Sequence, residues 1–340
     1  MSAVLQTATR ATISAMKMAA PAKPKAAPRK PKPAPRAAPA PLPRKIAPPR
    51  NAAFRAGTHS CDLGKRRFKI YVPAMAAGTP LPLLVMLHGC GQTADDFAKG
   101  TRMNALAEEF QMLVLYPEQA REAHSNRCWN WFRRGDQGRG DGEPGLLADL
   151  TRAIIEKHPV DPARVYVAGL SAGASAALVL GNAYPDLFAA VGAHSGLPVG
   201  AARDSTSAMM AMGQGSPGNR PSAAIPTIIF HGSDDKVVNP RNGRFIAIRA
   251  LEPFRGLRNT QTRGQVPGGR HYIKTAYRKG QGRPVVEEWV IDGSGHAWSG
   301  GSRAGRFVDP AGPDASRAMV RFFLRHKLSL RARSPRHLDP

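Results

Sequence analysis

From residue 57 onward, short apolar runs alternate with longer segments whose apolar residues recur with helical spacing. The apolar runs predict strands at residues 67–72, 83–87, 112–116, 165–168, 189–193, 227–230 and 286–291. The longer segments predict helices at residues 94–111, 145–157, 172–183, 243–251 and 314–326. This alternation is typical of a mainly parallel sheet with helices on both faces, and it predicts an α/β fold class. Residues 200–221, in which three methionines stand among Ser and Gly, are predicted as a loop or small cap.

The N-terminal segment has a different composition. Residues 21–49 are nearly all Pro, Ala, Lys and Arg, a mixture that buries little apolar area and favours extended polyproline II conformations. We therefore predict a disordered basic arm over residues 1–56, a catalytic domain over residues 57–327 and a basic tail over residues 328–340.

The positive charge is concentrated in that arm. The chain has a formal net charge of +25, and residues 1–57 contribute six Lys and six Arg with no acid. Such an arm fits two interpretations, which are tethering to an anionic polymer, surface or nucleic acid, and a solvated spacer. The sequence leaves both open.

Apolar length and cysteine number limit the class of protein further. No stretch reaches the roughly 18 uninterrupted apolar residues of a transmembrane helix, so no membrane span is expected. Residues 1–20 lack the basic start and apolar core of an ordinary secretory signal. Cys61, Cys90 and Cys128 are too few for a disulfide scaffold and lack the CxxC spacing of a zinc site, and at most one pair of them can form a disulfide.

The strongest chemical signal is the segment VYVAGLSAG at residues 165–173, an apolar strand that runs through G-x-S-x-G into an Ala-rich helix. A nucleophilic serine on a sharp strand-to-helix turn requires this context. Gly169 and Gly173 leave room for the turn, and the helix directs its positive end at the reaction centre. We predict Ser171 as the nucleophile and the amide of Ala172, the next residue, as an oxyanion donor.

Three other loops, one before Ser171 in the sequence and two after it, supply the partners that such a serine needs. The loop HGCGQ at residues 88–92 follows an apolar strand, and it predicts a second oxyanion donor at the amide of Cys90 or, next, of Gly89. The loop after residue 230 carries two acids, of which Asp235 is preferred to Asp234 as the triad acid. The Gly-rich loop after residue 291 carries a single histidine, His296, predicted as the general base. The order Ser, Asp, His is that of the α/β hydrolases.

Several motifs together resemble the polyhydroxybutyrate depolymerase-like esterases, a branch of the α/β hydrolases close to feruloyl and acetylxylan esterases. The motifs are HGCGQ at residues 88–92, YPEQ at 116–119, CWNWF at 128–132, DPARVYVAGLSAG at 161–173, HG at 231–232 with Asp235, and GHAWSGG at 295–301. The resemblance covers about residues 57–327. It implies a serine esterase that acts on short-chain hydroxyalkanoate polyesters or oligomers and that needs no cofactor.

The same resemblance carries expectations about substrate contacts and location. Trp298, Trp131 and Trp129 lie in motif loops, where they could line an acyl pocket or be packing residues, and His88 is a further substrate-binding candidate. A disulfide between Cys90 and Cys128, which would leave Cys61 free, stays open, and it should be absent if the protein is cytoplasmic. The resemblance implies the extracellular region, and because no secretory signal is recognisable, the cytoplasm is the alternative.

One further departure from the family pattern and two alternative functions remain. No separate polymer-binding domain follows residue 327, so the arm is a hypothetical replacement for it. A feruloyl or acetylxylan-type esterase is the alternative within the same chemistry. The alternative of another class is an anionic-polymer or nucleic-acid binding protein on a hydrolase scaffold, suggested by the net charge.

Overall fold

The computed structural model describes residues 52–74 and 79–329. Ten strands of this part form one sheet in the order β1-β2-β4-β3-β5-β6-β7-β10-β9-β8. The strands are β1 (Ala53–Cys61), β2 (Gly64–Val72), β3 (Leu81–Leu87), β4 (Leu113–Glu118), β5 (Val160–Leu170), β6 (Ala190–His194), β7 (Thr227–Gly232), β8 (Leu257–Gln265), β9 (His271–Lys279) and β10 (Pro284–Ile291). The central strands pair in parallel, and β1, β2, β8 and β9 pair antiparallel at the two ends.

Helices cover both faces of the sheet, as predicted. They are α1 (Ala94–Thr101), α2 (Met103–Phe110), α3 (Gly142–Lys157), α4 (Ala172–Ala183), α5 (Ser205–Gln214), α6 (Arg241–Leu251) and α7 (Ala315–Phe323). Strand β3 is buried on both sides: Leu83 and Val85 belong to the core under α3, α4 and α6, while Leu84 and Met86 belong to the core under α1, α2 and α7. A continuous apolar run is what a doubly covered strand requires.

Three sequence expectations are wrong in detail. The helix predicted at residues 94–111 is two helices, because Arg102 adopts a left-handed conformation (φ 57°) between α1 and α2. Part of the loop predicted at residues 200–221 is α5, which begins with a capping box at Asp204 and Ser207. Strands β1, β8 and β9 were not predicted. β8 is almost entirely exposed, so it has no apolar alternation and is held by its backbone pairing with β9.

The predicted domain limits are only partly covered by the structure. β1 begins at Ala53, inside the segment predicted as the arm. Residues 1–51, which hold the rest of the arm, and residues 330–340 of the predicted tail lie outside the described residues. Among the helices that are described, none is both long enough and apolar enough to cross a lipid bilayer.

Candidate active site

Ser171 lies on the sharp turn between β5 and α4. Its backbone adopts φ 58° and ψ −121°, a strained combination for a residue with a side chain. A Cβ at Gly169 would come within 2.3 Å of the Gly173 carbonyl oxygen, and one at Gly173 within 2.2 Å of the Leu87 carbonyl oxygen. Only glycine fits either position, so the two flanking glycines are what permit the turn.

Asp235 lies in the loop after β7, and its side chain is fully buried. One carboxylate oxygen, Oδ1, accepts the amides of Val237 (2.9 Å) and Val238 (2.8 Å). The other, Oδ2, is 2.7 Å from Nδ1 of His296. Burial alone would raise the pKa of Asp235, but hydrogen bonds from His231 and His296 outweigh it and hold that pKa well below its usual range. The carboxyl group is therefore ionised.

The second acid of this loop is in a different environment. The carboxylate of Asp234 is exposed, and its Oδ1 lies 2.5 Å from Nζ of Lys236. It makes a surface ion pair and does not contact the histidine. The sequence had left a choice between the two acids, and the geometry places Asp235 beside the imidazole.

His296 lies in the loop that follows β10. Because Nδ1 donates to an ionised carboxylate, the neutral ring carries its proton there and leaves Nε2 free to accept. The hydrogen bonds of the described residues include this His296–Asp235 pair but none between the Ser171 hydroxyl and the imidazole. Catalytic hydrogen bonds of this kind are often long without substrate. Ser171, Asp235 and His296 follow the carboxyl ends of β5, β7 and β10, all at one edge of the sheet.

His194, which the sequence reasoning missed, connects the serine turn to the histidine loop. Its carbonyl oxygen accepts the Ser171 amide (2.8 Å), and its Nε2 accepts the amide of Ser299 (3.0 Å). The ring stacks on Trp298 with 5.1 Å between centroids. Complete burial lowers the pKa of His194 to about 3, so the ring is neutral and accepts this bond at ordinary pH. No sequence motif marks it, because it is simply the last residue of a buried strand.

His231 is a second histidine beside the carboxylate of Asp235. Its Nε2 lies 3.4 Å from Oδ2 of Asp235 and 2.9 Å from the Val238 carbonyl oxygen. The ring is buried, and its Nδ1 has no partner among the described residues. His231 thus helps to fix the carboxylate from the side opposite the backbone amides.

Of the three backbone amides predicted as oxyanion donors, two are free to donate a hydrogen bond to a ligand. Within the described part of the chain, the amides of Cys90 and Ala172 have no hydrogen-bond acceptor. The prediction for Gly89 is wrong, because its amide donates to Oε1 of Gln92 (3.0 Å). Cys90 is joined to Cys128 by a disulfide, a pairing that the sequence left open, and Cys61 is free. The disulfide joins the loop at residues 88–92, called the oxyanion loop below, to the loop at residues 128–132, which carries Trp129 and Trp131.

The substrate-binding expectation for His88 and Trp129 is wrong. His88 is buried, with Nδ1 donating to the Gly89 carbonyl (2.8 Å) and Nε2 accepting the Gln119 amide (3.0 Å). Burial lowers the pKa of His88 to about 4. Trp129 is also buried, and its Nε1 donates to the carbonyl oxygen of His88 (2.9 Å). Both side chains shape the oxyanion loop from beneath, and neither has surface left for a ligand.

The other two tryptophans are packing residues as well. Trp298 is 1% exposed, and its Nε1 donates to Oγ of Ser316 (2.9 Å). Trp131 is 6% exposed and packs edge-on against Phe132. Their positions in motif loops suggested a pocket lining, but a large aromatic in a loop is equally suited to anchoring that loop to the core.

Phe307 is an exposed aromatic residue that the sequence reasoning missed. It is 46% exposed and has a left-handed backbone (φ 53°), which is unusual for an aromatic residue. Its carbonyl oxygen accepts the Trp298 amide (2.7 Å), and the guanidinium of its neighbour Arg306 donates to the Gly91 carbonyl (2.6 Å). Phe307 therefore lies between the histidine loop and the oxyanion loop.

The family model described as esterase PHB depolymerase matches residues 66–252. The chain belongs to this family. It is 35% identical over 256 residues to poly(3-hydroxyalkanoate) depolymerase C of Paucimonas lemoignei, a match that covers 71% of this chain and 59% of that protein. It is 31% identical over 199 residues to acetylxylan esterase A of Emericella nidulans, covering 52% of this chain and 63% of that one. The chain thus spans about three fifths of the length of each relative.

The fold is shared with a solved esterase structure. An acetyl xylan esterase from Aspergillus awamori superposes with a TM-score of 0.63 at 21% identity, covering 80% of this chain and 99% of that one. The α/β-hydrolase fold predicted from the strand and motif order is confirmed.

Proposed function

We propose that the protein is a serine carboxylic-ester hydrolase with Ser171 as nucleophile, His296 as general base and Asp235 as the acid that orients it. The observation that carries the proposal is the buried, ionised Asp235 bound to Nδ1 of His296, at the sheet edge where the strained Ser171 turn also lies. Membership in a family of esterases supports the same chemistry.

In the first half of the proposed reaction, the Ser171 oxygen attacks the ester carbonyl carbon while its proton moves to Nε2 of His296. The carbonyl oxygen becomes an oxyanion, which accepts hydrogen bonds from the amides of Cys90 and Ala172. The carbon–oxygen bond to the alcohol then breaks, and the alcohol leaves with the proton from His296. The product is an acyl ester of Ser171.

In the second half, water attacks that acyl ester and gives a proton to Nε2 of His296. The tetrahedral intermediate uses the same two amides, and the acid leaves as the proton returns to the serine oxygen. Asp235 stays ionised throughout and stabilises the imidazolium that forms in each half. No cofactor enters either step.

The first test is hydrolysis of p-nitrophenyl butyrate by the Ser171→Ala variant. Turnover should fall by several orders of magnitude with an unchanged melting temperature, because only the nucleophile is removed. Retained turnover would contradict the assignment. A matched control is Ser222→Ala, which removes an exposed serine hydroxyl that bonds to Asn182, and this variant should keep most of the activity.

We infer further that the substrate is a short-chain hydroxyalkanoate polyester or its oligomers. The similarity to a poly(3-hydroxyalkanoate) depolymerase supports this class. Exposed apolar side chains also suit a solid polymer surface: Phe307 between the two active-site loops, and Met209 (75% exposed) and Met210 (58%) on α5. Helix α5 is bonded to the loop of Asp235, because the amide of Asn239, four residues after Asp235, donates to the carbonyl oxygen of Met212 in α5 (2.8 Å).

The polymer proposal is tested by comparing an insoluble film with a soluble ester. The double variant Met209→Ser with Met210→Ser should lose several-fold activity on amorphous polyhydroxybutyrate and keep its rate on p-nitrophenyl butyrate. Phe307→Ala should lower the rate on both, because Phe307 is bonded through its carbonyl oxygen to the amide of Trp298, two residues after His296. If the wild type, the double variant and Phe307→Ala are equally active on the film, these side chains do not contact the polymer as proposed.

An acetylxylan or feruloyl esterase is the second candidate, and the acetylxylan esterase relative favours it. Initial rates on hydroxybutyrate oligomers, acetylated xylan and feruloyl esters, measured with one preparation, separate the two. Higher kcat/KM on the oligomers is the result we expect.

Two further interpretations are more limited. The Cys90–Cys128 disulfide favours an oxidising location such as the extracellular region over the cytoplasm. The anionic partner proposed for the basic arm concerns residues outside the described part of the chain. Unchanged polymer binding after deletion of residues 1–50 would reject that role for the arm.

A further inference from the structure

A histidine, a cysteine and an aspartate converge where strand β1 lies beside helix α3. The imidazole of His59, the thiol of Cys61 and the carboxylate of Asp149 each offer a ligand atom, and these atoms all lie within 4.8 Å of one another. None of the three takes part in the proposed esterase reaction. We propose that this cluster is a binding site for zinc or a similar borderline divalent cation.

The strand pattern explains why the first two ligands face the same way. Residues 57, 59 and 61 of β1 are partly buried, whereas residues 58 and 60 are exposed, as expected for a strand with alternating sides. His59 and Cys61 therefore both point to the covered face of the hairpin.

Helix α3 brings the third ligand to that face. The side chain of Leu63, in the turn after β1, lies against Gly145, because a Cβ there would be 2.5 Å from Leu63 Cδ1. Gly64 faces Leu146 in the same way. Asp149 is one helical turn further along α3, and its Oδ1 lies 2.5 Å from Nε2 of His59.

The donor set is chemically specific. One imidazole nitrogen, one thiolate and one carboxylate are the ligands that zinc and similar borderline cations bind, usually with water in an open fourth position. Tetrahedral zinc holds its ligand atoms roughly 3.4–3.8 Å apart, so small side-chain rotations would complete the site. The Asp149 side chain is 46% exposed and the His59 side chain 13%, which leaves the site open to solvent for the cation and a water.

The disulfide makes the site unusually easy to test. The chain has three cysteines, and two of them form the Cys90–Cys128 bond, so Cys61 is the only free thiol. Thiol titration of the unreduced full-length protein therefore reports on this site alone. Zinc should slow the modification of Cys61 by a thiol reagent at least tenfold, and cobalt should give thiolate-to-metal charge-transfer absorption at one equivalent.

Calorimetric titration of metal-free protein with zinc completes the experiment. We expect one site per chain, a higher melting temperature with zinc, and at least tenfold weaker binding in each of Cys61→Ser, His59→Ala and Asp149→Asn. The control is His271→Ala, which removes an exposed histidine elsewhere and should bind zinc normally. Unchanged Cys61 reactivity with zinc in the wild-type protein, or equal affinity in Cys61→Ser, would overturn the proposal. Esterase activity is measured in parallel, and it should be independent of zinc.

Discussion

Replacing Asp235 by Asn tests how the triad is oriented, because the substitution changes charge and donor pattern but not shape. Oδ1 of Asp235 accepts two backbone amides, from Val237 and Val238. An asparagine must place its carbonyl oxygen there, since its NH₂ group cannot accept. The NH₂ group then faces Nδ1 of His296 and donates to it.

That arrangement reverses the tautomer of the histidine. Nδ1 of His296 becomes the acceptor and the proton moves to Nε2, where the proton of Ser171 must be received. The alternative flip of the amide would lose both backbone hydrogen bonds. We therefore expect kcat to fall by about 10⁴-fold, which corresponds to about 5 kcal/mol in activation free energy.

The assay is p-nitrophenyl butyrate hydrolysis with a melting curve for each protein. Asp234→Asn is the matched control: that acid is exposed and pairs with Lys236, so its loss should change kcat by less than about twofold. If Asp235→Asn stays folded and within tenfold of the wild-type rate, or if the two variants are equally impaired, the assigned role of Asp235 is wrong.

Three further predictions concern stability. Gly173→Ala should destabilise the fold by about 1–3 kcal/mol in urea unfolding and abolish turnover, because its Cβ would lie 2.2 Å from the Leu87 carbonyl oxygen. Replacing Cys90 and Cys128 by Ser should cost up to about 4 kcal/mol for a loop of 38 residues, and the wild type under reducing conditions should match it; no difference would contradict the disulfide. Burial, assisted by Arg283, lowers the pKa of His326 to about 4. The unfolded chain therefore takes up a proton first, and stability should fall by about 3 kcal/mol from pH 6.5 to pH 4. The His326→Leu variant lacks this group, so between pH 6.5 and pH 4 its stability should fall by about 3 kcal/mol less than that of the wild type. Parallel stability-against-pH profiles of the variant and the wild type would refute the argument.

The sequence was sufficient for the parts of the site that follow a strand and need a special backbone. The serine turn requires glycines at fixed spacing, and Ser171 was predicted from them. Asp235 and His296 were predicted because catalytic loops of this fold follow parallel strands in a fixed chain order, and the structure places their side chains in contact. The central strands were equally clear, since burial on both faces demands unbroken apolar runs.

What the sequence did not reveal depends on packing across distant segments. His194 and His231 are ordinary residues of buried strands until their rings are seen beside the loop of His296. A position in a loop suggests that a tryptophan contacts a ligand, because loops often do, yet Trp298 is buried against His194. β8 escaped prediction because pairing with β9, and not apolar burial, holds it.

The central claim is that Ser171 is the residue acylated during turnover. Its most direct test is treatment of the active protein with a fluorophosphonate, followed by mass spectrometry of the peptides. We expect one adduct per chain on Ser171, formed in proportion to the loss of activity, and much slower labelling in His296→Ala. An adduct on another residue that accounts for the lost activity, or full activity with Ser171 labelled, would contradict the account.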